Sequence, residues 1–304
     1  MSTYSIKDLE NLTGVKAHTI RIWEQRYGIV APKRTSTNVR YYNSDDLKNM
    51  LNITLLNNNG HKISHIAKMS PAEIRTEVIE TINQHHNHED QIGALTLAMI
   101  DMDETQFERI MSANILRHGF EETMISIAYP FLRRIGALWQ TDAINPAQEH
   151  FITNLVRQKM IVAIDGKCSK PYEHDEKFLL YLPDGELHEL SLLFAYYLIR
   201  SHGYRVMYLG QSLSMEDLEE VYRLQKPEYI FTVMTSYPPF HEVQGYVDKL
   251  SETFPESNVL LTGYQILGQG IEMQDNMEMI PHFYYLMDLL KQIPQERKGE
   301  RKGA

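Results

Sequence analysis

The spacing of apolar and polar residues divides the chain into three segments with different periods. In the first, short apolar stripes at helical spacing are interrupted by Gly14 and Gly28. The second is helical throughout, and in the third short apolar runs alternate with helical stretches. The pattern predicts a multidomain α and α/β protein. We expect domains at residues 1–75, 90–166 and 176–293, a polar linker at 76–89 and a charged, disordered tail at 294–304.

The first segment predicts two short helices on either side of Gly14, the second running from about Lys16 to Tyr27. An alternating basic stretch, Pro32 to Tyr42, predicts a small hairpin after them. Two short helices joined by a glycine turn form a helix-turn-helix, whose second helix enters the major groove of DNA. The outward-facing candidates for DNA contact are Lys16, His18, Thr19, Arg21, Arg26, Lys33, Arg34, Arg40 and Tyr41.

The charge is distributed unevenly and supports this assignment. Residues 1–75 contain eleven Lys and Arg against six Asp and Glu, a net +5, although the whole chain carries -10. A basic head can neutralise phosphates, and an acidic body avoids the duplex. Cys168 is the single cysteine, so no disulfide forms within one chain. No apolar run reaches membrane-spanning length, and we expect a cytoplasmic protein.

The second segment predicts four helices, which short connections would arrange as an antiparallel four-helix bundle. Their expected bounds are Asp90–Met102, Glu104–His118, Glu121–Trp139 and Pro146–Ile164. In the last connection Asn145 is a good N-cap, Pro146 suits the first helical position, and Gln148 can complete a capping box. Trp139 therefore ends one helix, while Glu149 and His150 lie in the first turn of the next. On its own, this corner is better explained by ordinary packing of a core Trp beside an N-terminal Glu.

The third segment predicts a parallel, Rossmann-like sheet, because strands such as Phe178–Leu182 alternate with helices. Ligands bind beyond the carboxyl ends of such strands, which selects the loops at 183–191, 232–238 and 262–265. Glu186 lies two residues before His188 in the first loop. A histidine can bind a metal through one ring nitrogen while a carboxylate holds the other. His188 is therefore a candidate metal ligand.

The head resembles the winged helix-turn-helix of the MerR family of transcription regulators. The resemblance rests on the run Arg-x-Trp-Glu-x-Arg-Tyr-Gly at residues 21–28 and on the basic turn to Arg40-Tyr41-Tyr42. It implies dimeric heads on a palindromic double-stranded DNA operator. The wing tip departs from relatives, which often have glycines where this chain has Ser36-Thr37-Asn38. Asn38 can adopt the left-handed conformation that a tight tip needs.

Two further motifs resemble those of the adenosylcobalamin-binding, light-sensing repressors of carotenoid genes within that family. They are Trp139 followed after nine residues by Glu149-His150, and then Glu186-Leu187-His188. The resemblance implies that His188 binds cobalt from below, that Trp139 covers the upper face, and that Glu149 and His150 lie by the adenosyl group, with cofactor held between bundle and sheet. It also implies that cobalamin sets the oligomer, a homodimer or homotetramer. The other cofactor candidates are Ser191, Thr232, Met234, Thr262 and Gly263.

Three positions depart from that pattern and keep alternatives open. Ser191 and Thr262 replace glycines, and Gln140 stands where the best-known light sensors carry a second histidine ligand. A light-triggered bis-histidine state is therefore not supported. We expect a non-enzymatic repressor controlled by cobalamin. The alternatives are a family member whose sensor domain no longer needs cobalamin and, with less support, a corrinoid methyltransferase module.

Overall fold

The computed structural model describes residues 3–35, 38–84, 87–139, 144–169 and 171–300. The chain divides into two compact units, Met1–Val156 and Arg157–Ala304. Each unit has its own buried apolar residues.

The first unit begins with the predicted helix-turn-helix and wing. Its elements are α1 (Ile6–Thr13), α2 (Ala17–Tyr27), β1 (Lys33–Arg34), β2 (Arg40–Tyr41), α3 (Ser44–Asn58), α4 (Ile63–Ile66) and α5 (Pro71–Gln84). A capping box between Ser5 and Asp8 starts α1, and Gly14 ends it with a left-handed φ of 73°. The buried side chains of Leu9, Leu12 and Trp23 form part of the core beneath the two helices.

Helices α6 (His88–Asp101), α7 (Glu104–His118), α8 (Phe120–Thr123), α9 (Tyr129–Trp139) and α10 (Pro146–Cys168) occupy the segment predicted as a bundle. The predicted helix over residues 121–139 contains a π-helical turn at Met124–Ala128. Pro130 follows this turn and has no backbone N–H. It therefore cannot donate the α-helical hydrogen bond to the carbonyl four residues earlier, and the wider π-helical turn accommodates this loss. Helix α6 is buried on most of its surface, including the polar residues Asp90 and Gln91.

Two polar segments are more ordered than the sequence pattern indicated. Helix α5 continues to Gln84 through much of the predicted linker, and a capping box between Ser70 and Glu73 precedes it. The predicted disordered tail is helical to Glu300, as the end of α14 (Phe283–Glu300). Glu, Gln, Lys and Arg are strong helix formers. In α5, the buried side chains of Ile74 and Val78, one helical turn apart, also favour the helix.

The second unit contains the predicted parallel sheet, with strand order β4-β3-β5-β6-β7. Its strands are β3 (Lys177–Pro183), β4 (Arg205–Leu213), β5 (Tyr229–Val233), β6 (Asn258–Thr262) and β7 (Met277–Met279). Helices α11 (Leu190–Ser201), α12 (Met215–Gln225) and α13 (Phe240–Thr253) connect them. The central strands are almost continuously buried, as expected for a sheet covered on both faces. Strand β7 and helix α14 were not predicted.

Candidate functional site

Most of the predicted DNA-contacting side chains lie on the surface of the first unit. Lys16, His18, Arg21, Arg26, Lys33 and Arg34 are exposed, and Thr19, Arg40 and Tyr41 are half-buried. Lys16 Nζ lies 3.0 Å from a carboxylate oxygen of Glu10, an exposed ion pair that solvent screens and phosphate can displace. The head therefore presents positive charge on the second helix and on the wing.

The wing has the predicted hairpin geometry. Lys33 pairs with Tyr41 and Arg34 with Arg40 in antiparallel register. Asn38 has a φ of 66°, the left-handed conformation expected for the tip, and its side-chain oxygen accepts a 2.8 Å hydrogen bond from Arg34. Ser36 and Thr37 lie outside the described residues.

A buried tyrosine holds the second helix against the wing, a contact that the sequence analysis missed. The Tyr42 hydroxyl donates a hydrogen bond to Glu24 of α2, and the Tyr42 backbone pairs with that of Tyr4. Burial, and then the bond to Glu24, raise the pKa of Tyr42 well above its usual range. Glu24 belongs to the run at residues 21–28 that carries the family resemblance. Its bond to Tyr42 could not be predicted from that run, because the two residues are 18 positions apart in the sequence.

The corner at the start of α10 has the predicted caps. Asn145 Oδ1 accepts from the Ala147 N–H at 2.9 Å, and Gln148 Oε1 accepts from the Asn145 N–H at 3.2 Å. Glu149 bonds the Thr153 hydroxyl at 2.8 Å and lies 3.2 Å from His150, whose side chain is exposed. The side chains of Trp139 and Gln140 lie outside the described part of the chain.

The strongest constellation lies in the second unit, in the loop after β3. His188 Nδ1 lies 2.6 Å from Glu186 Oε1, and the His188 side chain is 59% exposed. The same carboxylate oxygen accepts from the backbone N–H groups of Leu187 and His188, each at 2.9 Å. The carboxylate thus orients the imidazole from behind, and a metal would be bound through Nε2.

Glu186 also connects two loops at the carboxyl edge of the sheet. Its second oxygen accepts from the backbone N–H groups of Thr235, Ser236 and Tyr237 at 2.8, 2.6 and 3.1 Å. The side chain is fully buried. Burial alone would raise the pKa of Glu186, but the hydrogen bonds from the His188 ring and from these backbone groups outweigh it and lower that pKa to about 2. Glu186 is therefore a buried anion whose charge is well satisfied.

The candidates on the neighbouring strands come together at the same edge. Gly263 has a φ of 110°, and a Cβ atom there would lie 2.3 Å from the carbonyl oxygen of Met234. Only glycine fits this approach of the two loops. Thr232 is buried on β5, while the hydroxyl of Thr262 donates to the Ile280 carbonyl at 2.7 Å. Ser191 is half-buried in the first turn of α11.

Of the other residues at this edge, Ser212, Tyr237 and Tyr264 were not singled out from the sequence. Gln211 donates to the Leu187 carbonyl at 2.8 Å, and Ser212 bonds Asp184. The side chains of Leu187, Tyr237 and Tyr264 are exposed. In the sequence, only their position in loops that follow predicted strands could have indicated a role at the site. That position does not distinguish them from other loop residues.

Glu189, the residue after His188, is held on both carboxylate oxygens. Arg157 donates to one at 2.7 Å and the Tyr208 hydroxyl to the other at 2.8 Å. The loop that carries His188 is therefore fixed on both sides of the imidazole. Among the described residues, no helix is long and apolar enough to cross a bilayer, and no three or more His, Cys, Asp or Glu side chains converge as a metal site would require.

Comparison with known proteins matches two segments of the chain, the head and the helical segment that follows it. Residues 4–73 match the family described as "MerR HTH family regulatory protein", and residues 91–163 match the "B12 binding domain". These matches confirm the resemblance drawn from the residues.

Two curated relatives come from Myxococcus xanthus. The chain is 25% identical over 263 residues to the HTH-type transcriptional repressor CarH, covering 83% of this chain and 86% of the relative. It is 25% identical over 210 residues to the HTH-type transcriptional repressor CarA, covering 68% of each. Among solved structures, the Methanosarcina barkeri monomethylamine corrinoid protein superposes with a TM-score of 0.51 at 11% identity, over 64% of this chain and 94% of that one. This likeness shows a shared fold.

Proposed function

We propose that this chain, which joins a MerR-type helix-turn-helix region to a B12-binding region, is a transcription regulator whose affinity for DNA is controlled by bound cobalamin. The observation that carries the proposal is the Glu186–His188 pair, held at the carboxyl edge of a parallel sheet in a chain that also presents a basic helix-turn-helix. The relatives named above are transcription repressors, which supports repression as the sense of control.

The residues at the sheet edge fit a cobalt-containing group. A carboxylate that accepts from Nδ1–H orients an imidazole so that its neutral form can offer Nε2 to a metal. The Thr262 substitution is compatible with this use, because its hydroxyl is already hydrogen-bonded to Ile280. When bound, adenosylcobalamin would supply a cobalt–carbon bond that light can cleave.

His188 is accordingly proposed as the cobalt ligand, and Glu186 as the group that fixes its orientation. The remaining proposed cofactor contacts are Ser191, Thr232, Met234, Thr262 and Gly263 in the second unit, and Trp139, Glu149 and His150 in the bundle. Adenosylcobalamin, rather than another corrinoid, is proposed from the similarity to CarH. We propose a palindromic DNA operator and a homodimer or homotetramer, because a two-fold site matches two-fold symmetry of the heads.

The direct test is the visible spectrum of the full-length protein after incubation with adenosylcobalamin and gel filtration in the dark. We expect a coloured protein whose spectrum shows a histidine ligand. His188→Ala should retain markedly less corrinoid. His202→Ala is the matched control, because His202 lies at the far end of α11, about 18 Å away at 1.5 Å per residue. A colourless parent protein would contradict the proposal and favour a cobalamin-independent regulator. Equal retention by a coloured parent and His188→Ala would contradict the assignment of His188 as the cobalt ligand.

Illumination of the same sample tests the light response. Because Gln140 replaces a histidine, we expect the spectrum to change without forming a bis-imidazole cobalt species. Light scattering before and after illumination would show whether the oligomer changes with it. Appearance of the bis-imidazole spectrum would refute the argument from Gln140.

A further inference from the structure

We propose that helix α6 is a mechanical relay that couples the corner at the start of α10 to the DNA-binding head. The observation is that α6 is held at its two ends by helix α3 of the head and that its C-terminal end is also held by Gln148. The contacts lie within the first compact unit. The assignment of the corner as a sensor rests on the proposed function, whereas the attachment of the head to α6 does not.

The head-side contacts run along the whole of α6. Lys48, near the start of α3, forms an ion pair with Asp101 at the end of α6. At the opposite end, Asn59 Nδ2 donates to Asp90 Oδ2 at 2.8 Å, just beyond the end of α3. The two helices are therefore antiparallel and attached at both ends. A rotation or shift of α6 must move α3 with it or break both contacts.

The contact at Asp90 is the costlier of the two to break. Asp90 is 3% exposed, and its Oδ2 also accepts from the Asn87 side chain at 2.7 Å. Removing one of the donors to a buried carboxylate weakens the compensation of a desolvated group, which is costly compared with loss of a partly exposed ion pair. The Asn59 end should therefore behave as a fixed pivot, and the end with the partly exposed Lys48–Asp101 pair as the part that yields.

The sensor-side contact meets α6 at its yielding end. Gln148 Nε2 donates to the Ile100 carbonyl at 3.0 Å, one residue before Asp101. The other end of the same amide caps α10 through the Asn145 N–H. Gln148 directly precedes Glu149 and His150, two proposed cofactor contacts. A displacement of that first turn is thus passed to the last turn of α6 and from there to Lys48.

The attached head keeps its DNA-contacting side chains accessible. His18, Arg21 and Arg26 are exposed while α3 lies against α6. The contact therefore sets the orientation of the head and does not block its surface. In an oligomer that binds two half-sites, a small change of orientation changes the match to half-site spacing, and so the affinity.

Gln148→Glu isolates the relay. The carboxylate retains an acceptor for the Asn145 N–H and suits the first turn of a helix, but it cannot donate to Ile100. Asn145→Ala is the matched control, because it removes the neighbouring cap on Ala147 without touching α6. A DNA duplex that the parent protein binds is first selected from a pool of random sequences. The affinities of the full-length parent and of each variant for this duplex are then measured with and without adenosylcobalamin.

Gln148→Glu should keep the corrinoid spectrum of the parent but lose roughly three- to tenfold of the change in DNA affinity that the cofactor produces. Asn145→Ala should keep that change. A Gln148→Glu protein with the full response of the parent would overturn the relay.

A second readout separates failure of the relay from failure of the cobalamin proposal. If the parent binds no corrinoid, amide hydrogen exchange is measured on the proteins without cofactor. Faster exchange in the last turn of α6 and around Lys48 in Gln148→Glu, absent in Asn145→Ala, supports the relay alone. Faster exchange confined to residues 144–150 overturns it.

Discussion

Replacing Glu186 by Gln should destabilise the second unit strongly, although the two side chains have nearly the same shape. The carboxylate of Glu186 accepts hydrogen bonds from the His188 ring and from five backbone N–H groups. An amide has a single acceptor oxygen. In either orientation, its NH2 group would face N–H groups that have lost their acceptor.

The size of the effect follows from the pKa. Folding lowers the pKa of Glu186 from 4.5 to about 2. At about 1.4 kcal/mol per pH unit, this difference corresponds to roughly 3 kcal/mol of unfolding free energy at neutral pH. Because the folded pKa is lowered, this contribution is complete above pH 4.5 and is lost as the pH falls towards 2. The parent should therefore lose up to about 1.4 kcal/mol per pH unit more than Glu186→Gln in that interval.

The assay must report on the second unit by itself, since both tryptophans, Trp23 and Trp139, lie in the first. Samples equilibrated in urea at several pH values receive a short deuterium pulse at one fixed pH. Mass spectrometry of peptides from Lys177–Pro183 then reports the unfolded fraction. Asp175→Asn is the control, because Asp175 is an exposed carboxylate of the same unit. A stability difference that stays constant between pH 4.5 and 3 would refute the reasoning.

Two further predictions concern the head and the loop after β6. Arg21→Ala and Arg40→Ala should each weaken operator binding, and each should lower the slope of log affinity against log salt concentration by about one. Arg223→Ala in α12 should leave that slope unchanged. Equal slopes for all three variants, measured by titration, would contradict the assignment of Arg21 and Arg40 as phosphate contacts. Gly263→Ala should destabilise the second unit by at least about 3 kcal/mol, because a Cβ atom at 263 would collide with the backbone of Met234. Gly268→Ala should cost about 1–2 kcal/mol, because there the left-handed backbone is strained by a side chain but no atom of the described residues is in the way. Urea unfolding of the two variants checks this order, and equal losses would contradict it.

The sequence was informative where the determinants are local. The turn at Gly14 and the left-handed tip at Asn38 each depend on residues within a few positions, and the structure confirms them. The alternation of strands and helices predicted the parallel sheet for the same reason. The spacing of Glu186 and His188 placed the carboxylate beside the imidazole, as found.

Contacts between distant residues had no such signal. The Glu24–Tyr42 bond spans 18 positions, and the Asn59–Asp90 bond spans 31. The role of Glu186 was only half visible, because its three bonds to residues 235–237 depend on β3 and β5 being neighbours in the sheet. The prediction also missed the helix at residues 76–84, where Val78 is buried one turn after Ile74 and a capping box between Ser70 and Glu73 starts the helix.

The geometry of Glu186 determines how variants of the candidate cobalt ligand can be interpreted. In Glu186→Gln, loss of corrinoid and loss of folding share one cause, so a colourless variant would say nothing about ligation. In His188→Ala the carboxylate loses one ring donor and keeps five backbone N–H groups, so the buried charge stays compensated. The unfolding free energy of that variant should consequently fall by less than that of Glu186→Gln. A loss of colour in His188→Ala can therefore be assigned to the missing imidazole, provided that the pulse-labelled β3 peptides show the second unit still folded.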